Sequence, residues 1–119
     1  MAGKPGPGLD ALLELDGEKI VFSDKCWVRI EARLVGRTPE RPHGIEYNLT
    51  YHDSSNQRIL GFDNAHAVQP GRRRFRGRRI VYDHRHSSPR DKGTPYEFDS
   101  PEQLMVDFWA AVDALRKES

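Results

Sequence analysis

Apolar and polar residues alternate through the middle of this chain with a period of two. Val28, Ile30, Ala32 and Leu34 interleave with Arg29, Glu31 and Arg33, and Ile45, Tyr47, Leu49 and Tyr51 interleave with Glu46, Asn48, Thr50 and His52. Successive side chains of a strand point to opposite sides, so each run predicts a strand with one buried and one solvated face. The intervening 36–44, with Pro39, Pro42 and mixed charge, reads as a loop. Asp53-Ser54-Ser55-Asn56 is turn chemistry, because such short polar side chains bond their own backbone. Arg58 to Asp63 then resumes a strand and completes a hairpin. Upstream, Leu9 to Leu15 and Lys19 to Phe22 flank Asp16-Gly17, a dipeptide that tolerates the positive φ of tight turns, and they predict a first β-hairpin. Arg79 to Asp83 reads as a short last strand. Ala65 to Gly77 reads as a mobile basic loop and His84 to Pro95 as an exposed loop.

Near the C-terminus the period changes. Leu104, Phe108, Ala111, Val112 and Leu115 recur at steps of three and four, which predicts a helix with one apolar stripe for the sheet. Ser100, Pro101 and Gln103 supply an N-cap, a first-turn proline and a capping-box partner. The expected fold is therefore α+β, a mostly antiparallel sheet of hairpins packed by one C-terminal amphipathic helix. A chain of 119 residues supports one core. We expect the Gly- and Pro-rich 1–8 to be a flexible lead-in and 9–119 a single domain. No apolar run approaches the roughly 20 residues of a membrane span, and the N-terminus has no signal-like apolar stretch. These features argue against a membrane partner and for the cytoplasm. Cys26, the lone cysteine, precedes Trp27 in a predicted strand and reads as a small buried thiol.

Charge changes the picture because of where it sits. From Arg58 to Lys92 there are ten Lys/Arg against three Asp, whereas the rest of the chain has nine basic against fifteen acidic residues. The densest part is Arg72, Arg73, Arg74, Arg76, Arg78 and Arg79 around Phe75. Guanidinium forks suit phosphate oxygens, and a stacked aromatic suits unpaired bases. A solvated loop and a landing strip for an acidic partner are the competing readings.

Asp63 and His66 form one polar cluster, and His84 and His86 another. In an extended segment the last two share a side, where the end of the preceding strand brings Asp63 and His66 near them. Two imidazoles and a carboxylate can hold a divalent metal. Without metal, one imidazole can serve as base and another as acid on the 2′-hydroxyl and leaving oxygen of RNA. His43 reads as a loop residue, His52 as a polar-face strand residue, and Gly61 as a bulge or close backbone approach.

Phe62-Asp63-Asn64-Ala65-His66, Tyr82-Asp83-His84-Arg85-His86, Pro95-Tyr96-Glu97-Phe98 and, within Leu104 to Val112, Asp107-Phe108-Trp109 occur in that order. Together they resemble the TumE family of bacterial toxins, from about Gly44 to the end of the helix. The resemblance implies a toxin encoded beside an antitoxin with a DNA-binding domain, a tight complex with that cognate antitoxin, and, by analogy with many small toxins, RNA as a target. It brings no catalytic set with it. On the residues themselves we expect Asp63, His66, His84 and His86 to be the reactive cluster of a ribonuclease-like site and Arg72 to Arg79 to hold phosphate. Whether a metal takes part stays open at this point. The rival expectation is a non-catalytic module that binds nucleic acid or protein.

Overall fold

The computed structural model describes residues 7–38, 43–64, 84–86 and 94–117. Their order is α1 (Leu9–Glu14), β1 (Glu18–Val21), β2 (Trp27–Leu34), β3 (Ile45–His52), β4 (Arg58–Asp63), β5 (His84–His86), β6 (Thr94–Pro95) and α2 (Pro101–Lys117). The strands form one sheet in sequence order, each antiparallel to the next. This is the expected α+β fold. No helix among the described residues is long and apolar enough to cross a membrane.

Two local expectations change. Leu9 to Leu15 is a helical turn and not a strand: Leu9, Leu12 and Leu13 follow the spacing of one helix face, and Leu12 is fully buried. A short apolar run fits either period, and here contact with α2 decides. Gly8 has φ 89°, and a Cβ at that position would come within 2.6 Å of the Glu102 backbone, so a glycine is needed where α1 meets α2. The first hairpin is β1–β2, closed by Phe22 N–H donating to the Cys26 carbonyl (2.8 Å), with the Asp24 carboxylate accepting from Cys26 N–H (3.0 Å). Cys26 therefore ends a turn instead of lying in a strand. The second change is in the stretch expected to be an exposed loop, where His84–His86 and Thr94–Pro95 pair as strands. Their polar composition concealed them. The strand expected at Arg79 to Asp83 and the basic loop from Ala65 to Gly77 lie outside the described residues.

The β3–β4 hairpin forms as its turn residues require, with one Asp53 oxygen accepting from the N–H groups of Ser55 and Gln57 at 2.9 and 3.0 Å. Beside it the ladder slips. His52 pairs with Arg58 and Tyr51 with Leu60, so Ile59 is an extra residue. This bulge turns Arg58 to the side opposite Leu60 and Phe62.

Helix α2 buries Leu104, Phe108, Ala111 and Val112 beside the sheet residues Val28, Ile30, Leu49 and Phe62. Ser100 Oγ accepts from Gln103 N–H (3.0 Å), which is the expected cap, while the Gln103 side chain donates forward to Asp107 (2.8 Å). At the other end Arg116 joins helix to hairpin. It donates to Tyr51 Oη (3.1 Å), pairs with Asp24 (3.2 Å) and lies 3.9 Å from the Phe22 ring centre. Burial pushes the Tyr51 hydroxyl above the ordinary tyrosine value, against the opposing pull of Arg116.

Candidate functional site

Period-two alternation divides the sheet cleanly. Leu60 and Phe62 of β4 turn toward α2, leaving Gly61 and Asp63 on the helix-free side. Strand β5 pairs there with Gly61 opposite His86, Phe62 opposite Arg85 and Asp63 opposite His84. Residues facing each other, or offset by two, share a side. His86 accordingly reaches diagonally to Asp63, with Nε2 2.9 Å from the carboxylate and both side chains nearly enclosed. Asp63 and His86, expected as part of one cluster, are brought together. His84 is placed across the ladder from Asp63. His66 and the arginines Arg72, Arg73, Arg74, Arg76, Arg78 and Arg79 lie outside the described residues. Among the described residues no three histidine, cysteine or carboxylate groups gather as a metal site would require.

His86 is 9% exposed, not the solvated loop end expected of it. A carboxylate bonded to one imidazole nitrogen fixes the tautomer and the ring orientation. That is the arrangement of an oriented acid or base.

The neighbouring residues of the same sequence blocks serve the fold. Asn64, fully buried, accepts from Tyr47 N–H (2.9 Å) and donates to the Ile45 carbonyl (2.7 Å), latching the end of β4 onto β3. Tyr96 donates to Asp107 at 2.6 Å, and its ring meets Phe62 edge-on, as does that of Phe108. His43 accepts from Ile45 N–H (3.2 Å) and rests on Phe98.

One grouping on the helix-free face was not foreseen. Trp27 stacks on His52 at 3.8 Å with the rings 3° from parallel, donates Nε1–H to Asn56 (2.9 Å), and carries the Lys19 ammonium 4.3 Å from its ring centre. The clue was present in the alternation, since Trp27 shares the parity of Arg29 and Arg33 and so is a large aromatic on a polar face. His52 Nε2 bonds Thr50 Oγ1 (3.0 Å), whereas Nδ1 is buried without a partner. Burial pulls this imidazole below the ordinary histidine value, helped by the nearby Arg58 charge and opposed by the Asn56 backbone. Farther along the same face, a depression of about 310 Å³ is lined by Asp16, Glu31, Arg33 and Glu46 among others. Its carboxylates make it the acidic end of the face, and Asn48, which also lines it, lies opposite Asp63 in the ladder.

A family model described as "Toxin TumE" matches residues 12–116, most of the chain. No curated protein and no solved structure matches it.

Proposed function

The chain belongs to the TumE toxin family and is the toxin component of a toxin–antitoxin module with a cognate antitoxin as partner, and from that premise we propose that it acts on RNA in the cytoplasm as a ribonuclease. The observation that carries this reading is the 2.9 Å contact between Asp63 and His86 on the helix-free face of the sheet. Such a pair costs free energy to enclose. Solubility and core packing do not call for it.

In the proposed reaction His86, oriented by Asp63, takes the proton of a ribose 2′-hydroxyl. The 2′-oxygen attacks the adjacent phosphorus and the bond to the 5′-oxygen breaks, leaving a cyclic 2′,3′-phosphate. His84, across the ladder from Asp63, and His66 are assigned to protonating the departing 5′-oxygen. Arg72, Arg73, Arg74, Arg76, Arg78 and Arg79 hold phosphate, where fixed positive charge favours the charge that builds up in the transition state. The same histidines and carboxylate could instead hold a divalent ion, and chelation separates the two schemes. Activity that survives chelator with a bell-shaped pH profile belongs to imidazoles alone.

The test is induction without the antitoxin, with RNA profiled in parallel. His86→Gln and Asp63→Asn keep side-chain shape, so thermal melts can establish that the variants are folded. Loss of a positioned acid or base lowers rate by about 10² to 10⁴, enough to relieve growth inhibition. If folded His86→Gln and Asp63→Asn remain fully toxic and RNA is unchanged, the non-catalytic binding module replaces this reading.

A further inference from the structure

The helix-free face also has a row of side chains that leads toward the Asp63–His86 pair, and each of four consecutive strands supplies one member. In register, Trp27 of β2 faces His52 of β3, which faces Arg58 of β4 because of the Ile59 bulge. Lys19 of β1 leans over the outer side of the indole. We propose that Lys19, Trp27, His52 and Arg58 form the bed on which a single strand of RNA lies as it enters the site, an inference that rests on the RNA reading above.

Charge and shape select this occupant. The row holds two full cations and no carboxylate, and among the described residues Lys19 has no ion-pair partner. Arg29 and Arg33, by contrast, are each paired with a glutamate. The nearest acid along the strand, Asp53, accepts from two backbone N–H groups through one carboxylate oxygen, and its single charge is outnumbered by those of Lys19 and Arg58. An acidic protein segment would use only the cations, whereas the parallel Trp27–His52 pair offers a flat surface that a planar base exploits, and every base has such a face. Asn56 fixes the indole through Nε1, so little ordering remains when a ligand arrives. Lys19 is exposed and long-stemmed, so a base can replace its ammonium over the indole while the charge moves to the neighbouring phosphate.

The row also reaches the proposed reactive pair. The Arg58 side chain lies over Gly61, where a Cβ would be 3.4 Å from Arg58 Cδ. Gly61 is the residue opposite His86 in the ladder. A phosphate held by Arg58 is thereby directed toward the imidazole that Asp63 orients.

The probe is a fluorescent oligouridine of about twelve nucleotides bearing 2′-O-methyl groups, which binds but cannot be cut through its 2′-oxygen. Its affinity for the whole protein is read by anisotropy over a series of salt concentrations. Trp27→Ala should weaken binding by about 5- to 150-fold, the range set by one stacked base. Lys19→Ala with Arg58→Ala should flatten the salt slope by about 1.4, at about 0.7 per phosphate contact on a single strand. A purely structural role would leave that slope unmoved. Should Trp27→Ala fail to fold, Lys19→Glu replaces it, and a loss of affinity is again required. Unchanged binding in the folded row variants overturns the bed and leaves the RNA reading standing, with the strand carried elsewhere, Arg72 to Arg79 included. No binding by the wild-type protein at low salt overturns both. Row variants that lose the antitoxin and keep RNA would make this a partner surface and overturn the proposal as well.

Discussion

The two sides of the sheet are built from the same strands and follow opposite rules. On the side facing α2, Val28, Ile30, Leu49 and Phe62 are nearly or fully buried, and their neighbours are other apolar groups. On the helix-free side, the positions between them carry Arg29, Thr50, His52 and Asp63. There the contacts are an aromatic–imidazole stack and ion pairs. Removing water from apolar area needs no particular partner, whereas an enclosed charge or imidazole needs a specific one. A residue's side of the sheet therefore says more about its role than its conspicuousness in the sequence does. Asp63 and Asn64 are adjacent and both polar, yet Asn64 secures two backbone groups at the end of the core while Asp63 orients a histidine on the opposite face.

The largest effect should come from the apolar side. Phe108 is fully buried between Phe62 and Trp109, and Phe108→Ala should cost about 3–5 kcal/mol in denaturant melts. Trp109, only half-buried, should cost less. If Trp109→Ala proves the more damaging, the helix meets the sheet through a different stripe and the contrast between the two sides is misdrawn.

That stripe and the strands β2, β3 and β4 were legible in the sequence because periods of two and 3.6 follow from backbone geometry alone. Leu9 to Leu15 was misread because seven residues do not distinguish the two periods, and the deciding contact, Gly8 against Glu102, is distant in sequence. Strands β5 and β6 were hidden for a related reason, being two short polar segments that become strands only by pairing, β5 with β4 and β6 with β5. Asp63 and His86 were legible as a grouping of polar side chains, though the enclosure of His86 was not. The Trp27–His52 stack escaped notice because it depends on the register between β2 and β3, and Arg58 joins the row only through a bulge that alternation does not reveal.

The next effect sharpens the boundary between the sides. Asn64→Ala should strand the Tyr47 N–H and the Ile45 carbonyl without partners, at a cost of about 1–3 kcal/mol for each group left unsatisfied. Chemical denaturation checks this, and toxicity should fall only as far as folded protein does. A change below about 0.5 kcal/mol would mean that water replaces the latch and that Asn64 does not belong with the core.

His86→Ala should act differently, because it deletes a group on the helix-free side and leaves the enclosed Asp63 carboxylate facing a space. The expected loss is about 1–3 kcal/mol, more than the few tenths usual for an exposed residue. His86→Gln, which can still donate to Asp63, should recover most of that stability and none of the proposed proton transfer. Stability and activity recovering together in His86→Gln would reduce His86 to a structural partner of Asp63.

The smallest effect concerns His52 and is read by pH. Burial holds its imidazole below the ordinary value of about 6.5, so the folded protein favours the neutral ring more strongly than the unfolded chain does. The stability this brings is fully present above about pH 6.5 and is lost as the pH falls through the lower folded-state value, because the unfolded chain then binds the extra proton. His52→Phe keeps an aromatic ring against Trp27 without a titrating nitrogen. Its melting temperature should consequently drop less between pH 7.5 and pH 5 than that of the wild-type protein. Both proteins retain the Asp63–His86 pair and every other acid-sensitive contact, so the difference between the two drops isolates His52. Equal drops would mean that the imidazole takes up its proton in place at no cost, with the neighbouring Lys19 and Arg58 charges too well screened to oppose it, and the helix-free face would then tolerate a third cation as readily as two.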